Sequence, residues 1–80
     1  MMTFETIFTT LAQLVAEKLH IDRATVTLGS TMQDLGADSL DMVEIVMKIE
    51  EEFNIQVNDA DAEKLQTMRD VVEYIQTQLK

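Results

Sequence analysis

Cysteine and proline are absent from the 80 residues, and glycine occurs only at Gly29 and Gly36. Without cysteine the chain has no disulfide framework and cannot build a thiolate nucleophile of its own. Both glycines fall between periodic segments, where turns are expected. Bases are scarce: six lysines and arginines stand against fifteen acids, for a formal charge of −9. No apolar run approaches the ~20 residues that span a bilayer. The start, Met1 to Glu5, lacks the basic and long apolar stretches of a signal peptide, so a soluble cytoplasmic protein is expected. The length fits one domain over residues 1–80. Its core is thin, since a chain this small buries only roughly 60–65 % of the surface it exposes when unfolded.

The acids are concentrated. Between Asp34 and Glu63 stand ten of them against one base, Lys48, so this stretch carries the whole net charge; elsewhere five acids and five bases cancel. Such a field disfavours nucleic acid and anionic membranes and favours basic protein surfaces.

Apolar spacing gives the elements. Phe4, Ile7, Phe8, Leu11 and Val15 form one stripe of a helix over Thr3 to Leu19, with Thr3 as N-cap and Glu5 in the first turn. His20 follows at the surface as a partner for the helix C-terminal dipole. Ile21 to Asp38 is a long connection, pinned by Val26, Leu28 and Leu35, in which Thr31-Met32-Gln33-Asp34 caps a single turn. A second helix is expected from about Ser39 to Phe53, with Asp38 as N-cap and Asp41 at N3, and with Met42, Ile45, Val46, Ile49 and Phe53 on its buried arc. Asn58 opens a short third helix ending near Leu65. Thr67 opens the last one, striped by Met68, Val71, Val72, Ile75 and Leu79. The expected fold is all-α, a small four-helix bundle of three longer helices and one short third helix, with a long loop between the first and second.

On the second helix, Glu44, Met47 and Glu51 fall within about 40° of Leu40, opposite the buried arc. Leu40 and Met47 are therefore expected at the surface, ringed by Asp41, Glu44, Glu50 and Glu51. Charge steers an encounter and apolar side chains supply contact area, so this face suits docking to other proteins.

Ser39 falls at the first position of that helix, beyond the N-cap, with its hydroxyl free. A helix N-terminus offers unpaired N–H groups and a positive dipole end, which suit a phosphate ester. As a nucleophile Ser39 is poorly placed. Gly36-Ala37-Asp38-Ser39 is not the G-x-S-x-G of a hydrolase, and the single histidine, His20, ends a different helix.

The run Asp34-Leu35-Gly36-Ala37-Asp38-Ser39-Leu40-Asp41, with Val43-Glu44, Glu50-Glu51-Glu52-Phe53 and Asp61-Ala62-Glu63-Lys64, resembles bacterial acyl carrier proteins of the type II fatty-acid synthesis type. The resemblance covers nearly the whole chain. It implies a monomeric carrier that is not an enzyme. A phosphopantetheinyl transferase moves 4′-phosphopantetheine from coenzyme A onto the serine matching Ser39, and the arm's thiol carries acyl chains as thioesters to fatty-acid synthesis enzymes. It also implies that Asp38, Leu40, Asp41, Glu44, Met47, Glu50 and Glu51 meet basic patches on those partners, and that acyl chains enter between the helices, where methionines such as Met42 and Met68 adapt. Asn58 stands where many such carriers have proline, and Met42 where many have a smaller polar residue. Carriers for polyketide, nonribosomal-peptide or D-alanine transfer share the architecture and the serine.

Two other readings use the same acids. Asp59-x-Asp61-x-Glu63 suggests a calcium loop, but Lys64 stands where an EF-hand needs glycine, and Asp70 where it needs the bidentate glutamate, so no metal site is expected. An acidic adaptor or DNA mimic working unmodified would need the acidic face and not Ser39.

Overall fold

The computed structural model describes residues 2–79. Met1 and Lys80, which entered the readings of the chain start and of the charge balance, lie outside the described residues. Four α-helices follow one another: α1 (Phe4–Leu19), α2 (Ser39–Phe53), α3 (Asp59–Lys64) and α4 (Met68–Gln78). No helix is long and apolar enough to cross a membrane among the described residues.

Each helix starts where a side chain takes over orphan N–H groups. Thr3, Asp38, Asn58 and Thr67 accept from the backbone N–H three residues on, as the capping pattern requires. Asp38 and Thr67 complete reciprocal boxes with Asp41 and Asp70. α1 and α2 end at His20 and Asn54, both in the left-handed conformation with φ of 57° and 55°. His20 is exposed there, as expected for the end of α1.

α1 is the element on which α2 and α4 both pack. Its buried residues Ile7, Leu11, Ala12, Val15 and Ala16 meet Ile45, Ile49 and Phe53 of α2 and Met68, Val71, Val72 and Ile75 of α4. Burying each large side chain contributes about 1.5–3 kcal/mol, so these stripes supply most of the driving force.

The stripes extend less deeply than periodicity predicts. Phe4 and Phe8 are half-buried, capped by the guanidinium groups of Arg69 and Arg23 at 5.8 and 5.1 Å from the ring centroids. Met42, Val46 and Leu79 are also half-buried. For Met42 and Val46 the reason is that α3, only six residues long, covers that side of α2 incompletely.

The first connection contains a 3₁₀ turn, Arg23–Thr25, capped by Asp22, where sequence periodicity gave no element. Val26 is buried and Leu28 and Leu35 pack on the core, as expected; Met32 is buried as well.

Candidate functional site

The start of α2 is positioned by the connection that precedes it. The N–H groups of Met68 and Arg69 donate to the carbonyls of Ser30 and Leu28 at 2.9 and 3.0 Å, and Thr31 bridges Thr67, so the connection is tied to the start of α4. Thr31 and Asp34 then cap one turn reciprocally: the Asp34 N–H donates to the Thr31 hydroxyl at 3.0 Å, and the Thr31 N–H to the Asp34 carboxylate at 3.3 Å. Gly36 follows with φ +85°, a conformation that side chains resist, and the Ala37 N–H donates back to Met32. These contacts deliver the backbone to Asp38 in an extended conformation.

At Asp38 the work of capping is complete without Ser39. The Asp41 N–H donates to Asp38 Oδ1 at 2.8 Å, and the Asp38 N–H to Asp41 Oδ2 at 3.2 Å. Ser39 is the first residue of α2, exposed, and its hydroxyl lies outside this network. Open grooves adjoin it on two sides. One runs between α2 and α3 past Val43, Met47 and Glu63, the other past Gln33, Ala37 and Gln66.

Met42 and Ala62 border both grooves and also a small, partly open apolar cavity of about 20 Å³ between α2, α3 and α4. That volume has room for about one water-sized group. Its wall includes Met32, Val57, Leu65 and Tyr74. The Tyr74 hydroxyl donates to Asp61 at 3.0 Å and ties α4 to α3. Burial first, then the Asp61 hydrogen bond and the charges of Asp61 and Glu50, raise the Tyr74 pKa above its ordinary 10.0.

The outer face of α2 carries Leu40 at 66 % exposure and Met47 at 57 %, as the helical wheel predicts. Val43, also 57 % exposed, belongs with them and was missed. It lies 60° from Leu40 on the wheel, so a slightly wider arc would have included it.

The acids named for this face differ in their surroundings. Asp38 and Asp41 hold the cap. The Glu44 carboxylate pairs with Lys18 of α1 at 2.6 Å. Glu50 accepts the Val57 N–H at 2.9 Å, which ties down the turn between α2 and α3. Glu51 is exposed. His20, at the end of α1, belongs to a different element from Ser39.

The family model for the phosphopantetheine attachment site matches residues 9–75, most of the chain, leaving out the first five residues of α1 and the last three of α4. Members carry a covalently attached 4′-phosphopantetheine prosthetic group. The start of α2 fits such a group: an exposed hydroxyl free of capping duty, at the N-terminus of a 15-residue helix, with open space on either side. The chain therefore belongs to the phosphopantetheine attachment site family, whose members are carrier proteins bearing that arm.

Proposed function

We propose that Ser39 bears the arm, and that residues 1–80 act as one carrier domain of the bacterial type II fatty-acid synthesis type. The observation that carries this reading is the division of labour at the start of α2: Asp38 caps the helix, so the Ser39 hydroxyl is free and exposed. The sequence Leu35-Gly36-Ala37-Asp38-Ser39-Leu40-Asp41 lies within the matched residues.

The arm, once attached, supplies a terminal thiol that holds acyl groups as thioesters. The protein's own residues hold and present it. Asp38 and Asp41 fix the first turn of α2, and the positive end of the helix would offset the charge of a phosphate ester on Ser39. Leu40, Val43 and Met47 give apolar contact area, while Glu44, Glu50 and Glu51 add to the field that draws basic patches on a transferase and on synthesis enzymes. The apolar cavity holds only about one water-sized group as it stands, so flexible side chains such as Met42 would have to move aside to admit an acyl chain. Catalysis is left to the partners, in keeping with a cytoplasmic carrier.

The test is transfer in vitro. Incubation with coenzyme A, magnesium and a carrier-protein transferase is expected to raise the intact mass by one phosphopantetheine, and Ser39→Ala is expected to stay unmodified. An unchanged wild-type mass with several active transferases would overturn the reading.

A further inference from the structure

Asp34 to Glu63 holds ten acids and one base, yet among the described residues a single salt bridge is present, between Lys18 and Glu44. Lys48, the base within that stretch, makes none among the described residues. The ion-pair partner comes instead from outside the stretch, from the last turn of α1. Glu44 lies on the docking face of α2, within 40° of Leu40 on the wheel. The Lys18 ammonium thus sits where a lysine or arginine of a docking protein would bind; the Lys18 side chain is 29 % exposed, and 43 % of the Glu44 side chain remains open to solvent.

We propose that Lys18 is a built-in competitor for the basic groups of partner proteins at Glu44. It neutralises the edge of α2 nearest α1 and leaves the attraction concentrated on Glu51 and on the edge facing α3, where Asp59 and Glu63 are exposed. A partner gains a contact with Glu44 only by displacing Lys18. The device discriminates against surfaces that are merely very basic and favours those whose charges match the free edge. This inference rests on the docking role given to α2 above.

The experiment is a double-mutant cycle on the affinity of the protein for a carrier-protein transferase, measured calorimetrically at low salt without coenzyme A. An exposed ion pair of this kind corresponds to a change of roughly 1.5- to 5-fold in binding. Lys18→Gln is expected to tighten binding by about that factor, and to have almost no effect when Glu44→Gln is already present. Lys64→Gln removes the same charge from α3, a different helix from both members of the pair, so any effect it has is expected to be equal in both backgrounds. Glu44→Gln breaks the same ion pair, so any loosening of α1 against α2 is common to both arms of the cycle. An unchanged affinity for Lys18→Gln would overturn the proposal, and so would a gain that persists in full beside Glu44→Gln. Salt-insensitive or absent binding by the wild type would instead overturn the docking reading on which the proposal rests.

Discussion

At the level of single residues, neighbouring positions at the start of α2 carry separate tasks. Gly36 makes the turn, Asp38 supplies the cap and Ser39 is left exposed. Replacing the cap tests this division: Asp38→Ala should cost about 1 kcal/mol in urea unfolding, and Ser39→Ala close to nothing. A second cap gives a pH prediction. Asp70 accepts the N–H groups of Thr67 and Gln66, both at 3.1 Å, and these bonds hold its carboxyl below the usual 3.8. A carboxyl with a depressed folded pKa contributes stability above its unfolded value and loses it as the pH falls through the folded one. The stability difference between wild type and Asp70→Asn is therefore expected to be full at neutral pH and to shrink as the pH is taken below 3.8.

Among the elements, α1 has the greatest leverage because both α2 and α4 pack on it. Leu11 is fully buried in α1. Truncation there should cost about 2–5 kcal/mol, a large share of the roughly 4–12 kcal/mol typical of a domain this size. Circular-dichroism melts of Leu11→Ala are expected to show a much lower midpoint or no cooperative transition. A small shift would mean that α1 is not the central packing element.

The helices were readable in the sequence because their signals are local. Thr3, Asp38, Asn58 and Thr67 mark four starts, and the apolar stripes identify the faces. The first connection was less readable because its order is non-local. Leu28 and Ser30 accept from the start of α4, about forty residues away, and no spacing rule announces that. Met32 is buried too, beside residues of α2 and α4 that are distant in sequence. At the site, the exposure of Leu40 and Met47 followed from helical geometry. The engagement of Glu44 by Lys18 and of Glu50 by the Val57 N–H depends on how separate segments come together.

At the scale of the whole molecule, charge dominates. Among the described residues one ion pair sets off a field of ten acids gathered between Asp34 and Glu63, so self-repulsion should weaken the fold at low ionic strength. The melting temperature of the unmodified protein is expected to rise from low to moderate salt. A flat or falling trend would contradict this view of the field.

In the proposed function the same field and the exposed serine belong to a protein that other enzymes modify and pass between them. The most direct test is the intact mass of the protein isolated from its native cell, followed by fragmentation to place any added group. The expected result is one phosphopantetheine, with or without an acyl group on its thiol, located at Ser39. An unmodified mass, or a group located at another hydroxyl such as Ser30, would contradict the account.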